Sequence, residues 1–499
     1  MTQTFISLGQ ATDDLLACAA YIAERTLGSD ERAKAVSSVV PRYLARGEVD
    51  LAAELANAVE DPFVRDRLLI AVAEKCAEIG DDEYALQLAE AIDEYGLQSQ
   101  AREVIAIQKA AKNEFEKARE IAGMVIHPDL VLSRIAEQQA ANGDVTGAAE
   151  TAENIDFPAA STSAWLGMAA VRVAAGDNEK AAEFIESAIP CAEEIEHREE
   201  RIRLLIEAGN LFKQINRGDR AISTFDRAKQ YAEELDNVHR DALLASISLG
   251  FMHSGSIDLA DRALDLVADK TQIASALLGF AREYWARDER EDALEALSEA
   301  YDVLRSQHER ETRDSSARFA LFAVIAAQFA GFERGERAIE IAEEIADEKH
   351  SISALSQIAQ IMTLRGQIDT AKNALNAIGE PANRMITLIG MSDAAKEKGD
   401  REAALEYLDK AIALSDEVPQ AASRLNGILA AASRYFELGE NEHSREIASL
   451  YLENVTAIRG KGGQADALAQ LSEFFELGGF VIGETDRGYL KSLLEEKRN

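Results

Sequence analysis

A glycine-rich segment near the end of the sequence has residue types that could bind phosphate. It reads Arg459-Gly-Lys461-Gly-Gly463 and places two basic side chains among glycines. A nucleotide-binding loop would also need a preceding strand, the full GxxxxGK[ST] spacing and a Ser or Thr after the Lys, and all three are missing. We therefore interpret the segment as a flexible turn. Contact of Arg459 and Lys461 with an anionic partner is the alternative.

A second basic segment runs from Arg305 to Arg318 and holds four Arg against three acidic residues, the reverse of the rest of the chain. We interpret it as part of a solvated, extended helical hairpin. The alternative is a contact for an anionic partner, such as RNA or an acidic protein, through Arg305, Arg310 and Arg313.

The His and Cys residues form no recognisable reaction centre. The seven His show no HExxH motif, and Cys18, Cys76 and Cys191 lie far apart without metal-ligand spacing. Signatures of a nucleophilic Ser or Cys are also missing. We expect no catalysis, no metal and no cofactor.

The charge of the chain limits its partners. The net charge is −36, and only 17 of the 53 basic residues are Lys. Such a surface argues against extensive nucleic-acid binding, and it is typical of proteins that fold in a high-salt cytoplasm, where screening removes self-repulsion. The most apolar stretch, Phe319 to Phe332, is too short to span a bilayer. We expect a cytoplasmic protein, without a signal peptide and not bound to a membrane. A halophilic source would explain the acidic, Lys-poor surface, and an ordinary acidic helical protein with many Glu is the alternative.

A recurring turn organises the whole chain. A Gly or polar residue is followed five positions later by Ala, or once by Ser, at steps of 30 to 45 residues, most often 33. The turn residues are Gly47, Gly80, Asn113, Gly143, Gly176, Asn216, Gly255, Asp288, Glu333, Gly366, Gly399 and Gly439. A period of this size predicts an array of helical hairpins, with a helix A before each turn and a helix B after it.

Apolar residues before each turn follow the i, i+3, i+4, i+7 pattern of one helix face. Eleven and eight positions before the turn they are large, and seven positions before it they are small, as in Trp165, Met168 and Ala169 before Gly176. The small site predicts a close approach of a neighbouring helix.

These spacings resemble the tetratricopeptide repeat (TPR) family. The pattern is clearest in Trp165-Met168-Ala169-Gly176-Ala181 and in Leu277-Phe280-Ala281-Tyr284-Ala293, and it extends from about Ser29 to Leu477. The resemblance implies an all-α, right-handed superhelical solenoid of about twelve helix-turn-helix repeats. It also implies a concave face, lined by the A helices, that holds a peptide or a partner helix.

The repeat pattern also predicts the domain organisation. We expect an N-terminal capping helix in residues 1–28, the repeat array in 29–477 and a C-terminal capping helix in 478–499. Gln464 to Leu477 would be a last A helix. The longer steps after residues 176, 216, 288, 399 and 439 predict longer helices in those repeats.

One Arg position recurs fifteen residues before the turn, at Arg65, Arg201, Arg240, Arg318, Arg384 and Arg424. We interpret it as a structural row whose members pair with acids or carbonyls at the end of the preceding B helix, as Glu60 and Asp61 could do for Arg65. A phosphate- or carboxylate-binding row is the alternative.

Our first functional hypothesis is a non-catalytic adaptor that captures a partner protein in its groove. By the family's offsets the groove residues are Arg67, Arg134, Arg203, Lys213, Arg282 and Trp285. The second hypothesis is a ribosome- or ribonucleoprotein-associated factor, acting in hibernation, dimerisation or assembly, whose local Arg patches touch RNA. A sensor for a small effector and a homodimer both remain open.

Overall fold

The computed structural model describes residues 5–306 and 315–495, and every regular element in those ranges is helical. Twelve hairpins follow one another. Their A helices are α3 Ser29–Arg46, α5 Pro62–Ile79, α7 Tyr95–Ala111, α9 Asp129–Ala141, α11 Pro158–Ala174, α13 Arg198–Gln214, α15 Arg240–His253, α17 Lys270–Ala286, α19 Ser315–Gly331, α21 Glu348–Leu364, α23 Pro381–Glu397 and α25 Ala421–Glu437.

The B helices alternate with them: α4 Val49–Asn57, α6 Asp82–Glu90, α8 Phe115–Ala122, α10 Val145–Glu153, α12 Asn178–Glu193, α14 Gly218–Glu233, α16 Ile257–Leu264, α18 Arg290–Arg305, α20 Gly335–Glu343, α22 Ile368–Asn376, α24 Arg401–Ala413 and α26 Asn441–Asn454. The array is preceded by α1 Leu8–Asp13 and α2 Leu15–Arg25, and followed by α27 Lys461–Gly478 and α28 Glu484–Glu495. The structure confirms the all-α array of helical hairpins that the sequence predicted.

All twelve predicted turn residues have a left-handed backbone. The Gly residues among them have φ between 76° and 95°, and Asn113, Asn216, Asp288 and Glu333 have φ of 60° to 66°. At each turn the next residue donates a backbone hydrogen bond back to the carbonyl five positions earlier, as Asp81 does to Cys76 at 2.9 Å. This is the Schellman C-cap, which satisfies the carbonyls at the end of helix A. Glycine suits it because it lacks the Cβ that makes φ > 0 costly.

The predicted apolar face is the core. Residues eight positions before the turn, such as Ile105, Met168 and Ile358, are fully buried. The small residues at the next position face the B helix of the same hairpin. In the hairpin around Gly255, the hydroxyl of Ser248 donates to the carbonyl of Ala260 at 2.7 Å, and both residues are fully buried. Close contact between A and B therefore explains the small-residue requirement.

Helix lengths follow the spacing of the turns. The B helices that follow the longer steps (α12, α14, α18, α24 and α26) have 13 to 16 residues, whereas the others have 8 or 9. Within residues 5–28, which the structure describes, there are two helices where one capping helix was expected. Asp14 separates them because its backbone is extended, and its carboxylate caps α2 by accepting from the N–H of Ala17. The division at 28/29 and 477/478 stays a prediction.

The chain forms two compact units. The terminal unit consists of Met1–Ala101 and Ile352–Asn499, and the central unit of Arg102–Ser351. In the terminal unit the beginning and the end of the array pack together: α2 and α3 contact α27, and α1 contacts α28.

Ion pairs support this junction. The guanidinium of Arg46 is four-fifths buried and contacts Asp14 at 3.0 Å, Glu476 at 2.7 Å and the hydroxyl of Ser472 at 2.9 Å. Arg487 pairs with Asp13 at 2.8 Å. The sequence analysis did not predict any contact between the first and last repeats.

No helix within residues 5–306 and 315–495 is both long enough and apolar enough to cross a membrane.

Candidate functional site

All six predicted groove residues lie on A helices, at Arg67 on α5, Arg134 on α9, Arg203 and Lys213 on α13, and Arg282 and Trp285 on α17. Five of the six side chains are exposed, and that of Trp285 is half-buried. Their role in partner binding stays a prediction.

Several of these side chains are already engaged within the chain. Arg134 pairs with Glu137 on its own helix at 2.6 Å, and Arg282 donates to Gln328 at 2.8 Å. Trp285 is covered on both faces. It stacks on Phe332, with ring centroids 4.1 Å apart, and the guanidinium of Arg290 lies 3.9 Å from its ring centroid. Trp285 therefore stabilises the repeat itself.

Lys213 lines a cleft between the A helices α13 and α15, which we call the central cleft. It encloses about 470 Å³ and is lined by Ile206, Asn210, Lys213, Gln214, Ser246, Leu249, Gly250 and His253. Ile206 and Leu249 contribute half-buried apolar surface, whereas Lys213 and Asn210 contribute hydrogen-bonding groups. An apolar centre with a few polar groups is the usual composition of a site that binds a peptide or small molecule.

His253 gives the central cleft a pH-sensitive group. Burial lowers the pKa of His253, and Lys213 and Arg287 lower it further, while Glu283, 3.7 Å away, opposes the shift. The imidazole is therefore neutral near pH 7. In that state it offers one hydrogen-bond donor and one acceptor.

Arg203 lies in a second, more polar cleft at the other end of α13. His197, Arg198, Glu199, Glu200, Arg203, Leu235 and Asn237 line this cleft of about 530 Å³. Glu199 organises it by accepting from the amide of Asn237 at 2.7 Å and by lying 3.8 Å from Arg203. Helix α13 thus presents a predicted groove residue to a cleft at each end.

Sequence reasoning missed most residues of the central cleft. Asn210 and Leu249 stand six positions before their turns, the same offset as Arg282, and Lys213 and Trp285 share the offset of three. Comparing each exposed A-helix offset across repeats would have found Asn210 and Leu249. A search for basic residues could not find them, because their contribution is apolar or neutral.

The Arg that recurs fifteen residues before the turn hydrogen-bonds to backbone carbonyls in three of the repeats. Arg201 and Arg318 donate to the carbonyls of Ile195 (2.9 Å) and Leu304 (3.3 Å), at the end of the preceding B helix, as expected. Arg240 instead reaches the carbonyl of Leu266, after the following B helix, at 3.1 Å.

The expected partners of Arg65 were wrong. Its guanidinium pairs with Asp66 and with Asp93, at 2.7 and 2.9 Å. Asp61 is occupied as the N-cap of α5, and Glu60 lies 3.8 Å from Arg32. Asp61 caps α5 rather than pairing with Arg65, because capping satisfies the backbone N–H of Val64, which would otherwise have no partner.

The segment from Arg305 to Arg318 connects α18 to α19. Arg305 is the last residue of α18, and Arg310 and Arg313 lie outside the described residues. Arg305 and Arg318 line a cleft of about 500 Å³ together with Tyr301, Phe319, Phe322, Ile341, Glu344, Ile345 and Ala346. Its aromatic rings and two guanidinium groups could hold a planar or anionic group.

The interpretation of residues 459–463 as a flexible turn was wrong. Lys461, Gly462 and Gly463 form the first turn of α27, which therefore begins three residues before the predicted Gln464. Lys461 donates to Gln464 at 2.9 Å, and the N–H of Gly462 donates to the carboxylate of Glu31 at 2.9 Å. This backbone donor is thus satisfied by the chain's own acid. Arg459 points to a different cleft, described below.

Among the described residues, no group of three or more His, Cys, Asp or Glu side chains is placed to hold a metal ion. The fold places the protein in the class of tandem arrays of helical hairpins, and this array has clefts on its A helices.

No protein-family model matches the chain, and no curated protein matches it significantly. Among solved structures, it is similar to Ton1535 from Thermococcus onnurineus NA1 (15% identity, 71% of this chain and 98% of that chain, TM-score 0.26). It is also similar to the quorum sensor NprR from B. thuringiensis (13% identity, 71% of this chain and 98% of that chain, TM-score 0.27). A third similar structure is a chain of the APC/C hetero-tetramer Cut9-Hcn1 (14% identity, 96% of this chain and 93% of that chain, TM-score 0.24). Similarity this low transfers no property of these proteins to the chain.

Proposed function

We propose that this protein is a non-catalytic scaffold that binds a segment of a partner protein on the A helices of its central unit. The central cleft carries the proposal, because it combines apolar surface from Ile206 and Leu249 with polar groups at Asn210, Lys213 and His253. An amphipathic helix or an extended segment is recognised by apolar anchors with polar groups around them. Lys213 favours a segment that carries a carboxylate.

The test is capture of the partner from native extract with the full chain as bait. Arg203→Ala and Lys213→Ala should each reduce the captured partner several-fold, because each removes a cation beside a cleft. Neither should change the melting temperature, since both side chains are exposed.

Lys180→Ala is the matched control. Lys180 is a half-buried residue of the B helix α12, its side chain is about two-fifths exposed, and it pairs locally with Glu183 at 2.6 Å, so its replacement should leave capture unchanged. Equal capture by Lys213→Ala, Arg203→Ala and the unmodified chain would rule out these clefts.

A ribonucleoprotein-associated role, in the cytoplasm, is the second candidate. The cleft that holds Arg305, Arg318 and three aromatic rings favours it, because single-stranded nucleic acid binds by stacking on rings beside basic groups. Sedimentation of native extract tests this role. Absence from ribosomal fractions at native salt would exclude it, and co-sedimentation lost in Arg305→Gln would support it.

A further inference from the structure

A basic cleft lies in the terminal unit, where α3 of the first repeat meets α25 and α27. It encloses about 580 Å³ and is lined by Lys34, Pro419, Gln420, Ala421, Ala422, Arg424, Asn426, Tyr451, Ala457, Ile458, Arg459, Gly463, Asp466, Ala467 and Gln470. Lys34 belongs to α3, Arg424 to α25, and Arg459 precedes α27. The cleft therefore exists because both ends of the array contribute to it.

Its three cations are not neutralised by described acids. None of Lys34, Arg424 and Arg459 forms an ion pair with a carboxylate of residues 5–306 or 315–495, and Arg424 reaches only the amide oxygen of Asn454, at 3.4 Å. In the same unit, Arg434 pairs with Asp393 at 3.0 Å. In a chain with 89 acidic and 53 basic residues, three such cations around one cleft are a distinctive feature.

The remaining lining adds donors for an anion. Ala421 and Ala422 begin α25, whose N-cap residue Gln420 makes no side-chain capping hydrogen bond. The first N–H groups of a helix carry partial positive charge and bind oxyanions. Amides of Asn426 and Gln420 supply further neutral donors.

The lining also limits what can bind. Among the described residues that line the cleft, Asp466 is the one carboxylate, and it accepts from Gln470 at 2.9 Å. Three cations against one acid suit a compact anion. They are too few for a nucleic acid, which needs many phosphate contacts and would be repelled by the net charge of −36.

We propose that the basic cleft binds a small multivalent oxyanion, a phosphate or a polycarboxylate, which bridges Lys34 of the first repeat to Arg424 and Arg459 of the last repeats. Binding stabilises the junction between the two ends of the array, because the ligand contacts both. The protein is thereby a scaffold whose terminal unit responds to a small anion, a property separate from capture of a partner at the central cleft.

The experiment is isothermal titration of the full chain with pyrophosphate and, separately, with citrate, at constant KCl concentration. One or both should bind with one-to-one stoichiometry and raise the melting temperature. Lys34→Gln and Arg459→Gln should each weaken binding about tenfold, the effect of losing one charge-assisted hydrogen bond. Tighter binding of pyrophosphate identifies a phosphate ligand, and tighter binding of citrate a carboxylate.

Arg262→Gln is the control, since Arg262 is an exposed residue of α16 in the other unit. It should bind both probes as the unmodified chain does. The proposal is overturned if neither probe binds, or if Lys34→Gln, Arg459→Gln and Arg262→Gln all bind equally.

Discussion

The carboxylate of Glu31 on α3 accepts a hydrogen bond from the backbone N–H of Gly462, at the start of α27, at 2.9 Å. The two residues are 431 positions apart in the sequence. A Cβ on Gly462 would lie 2.9 Å from the backbone oxygen of Glu31. Gly460 and Gly462 thus allow the start of α27 to approach α3 closely.

Gly462→Ala should destabilise the protein by about 1–3 kcal/mol, the usual cost of forcing an extra methyl into a packed contact. The measurement is the shift of the denaturant midpoint. Gly488→Ala is the matched control: Gly488 is an exposed helical residue of α28 with no neighbouring atom within 4 Å of an added Cβ. It should be neutral or slightly stabilising, because Ala is the better helix former. Equal destabilisation by both variants would show that the approach to Glu31 is unimportant.

The three cysteines should differ in reactivity. Burial raises the pKa of Cys18 to about 12 and that of Cys76 to about 11. An ordinary thiol titrates near 8.5, so at pH 8 both should resist iodoacetamide in the native state. Cys191 is half-buried and should react first. Peptide mass spectrometry after labelling measures this, and denatured protein, labelled at all three sites, is the control.

These pKa shifts also set a direction for stability against pH. The folded chain keeps thiol protons that the unfolded chain loses above about pH 8.5. The stabilising contribution of the Cys18 and Cys76 thiols to the free energy of unfolding is therefore complete below about pH 8.5. It declines as the pH rises towards their folded-state pKa values of about 12 and about 11. Cys18→Ala and Cys76→Ala should each flatten the alkaline decline of the unfolding free energy. If neither variant changed the pH dependence of the unfolding free energy, the raised pKa values of Cys18 and Cys76 would be contradicted.

Replacing Glu333 by Gly should stabilise the protein. Glu333 has φ of 64°, which costs a residue with a Cβ about 1–2 kcal/mol and costs glycine almost nothing. We expect a gain of about 1 kcal/mol in chemical denaturation. The reverse change, Gly399→Ala at φ 85°, should lose a similar amount. A destabilised Glu333→Gly would mean that the Glu333 side chain contributes more than its backbone strain costs.

The proposal of adaptation to high salt predicts stabilisation by KCl. A net charge of −36 repels itself strongly at low ionic strength, and at 1 M salt the screening length falls to about 3 Å. The melting temperature should rise between 0.1 and 2 M KCl, measured by calorimetry. Sorbitol at equal osmolality controls for general exclusion of solute and should have the smaller effect. No increase with KCl would exclude the proposal.

Local patterns predicted the hairpin array well. The turn residues, the buried face and the small sites depend on helix periodicity and on the backbone strain of positive φ, which act within a few residues. Even the four turns without glycine, at Asn113, Asn216, Asp288 and Glu333, were found from the Ala five positions later and from the step between turns, because every step must accommodate a complete hairpin.

Contacts of individual side chains were predicted less well. The contacts of Trp285 with Phe332 and Arg290 were not predicted, and Arg65 pairs with Asp66 and Asp93 rather than with Glu60 or Asp61. In each case two or more partners of similar chemistry stand at permissible spacings. The choice among them depends on distances that a one-dimensional pattern does not contain.

The sequence by itself determined the repeating helix pair and the residues that end each helix, since these follow from short-range sterics and a regular apolar period. Only the tertiary structure decided that Glu31 and Arg46 meet Gly462 and Glu476, and that Lys34 and Arg459 line one cleft. These contacts join residues more than 400 positions apart. They depend on long-range packing within the terminal unit, which a short-range pattern does not contain.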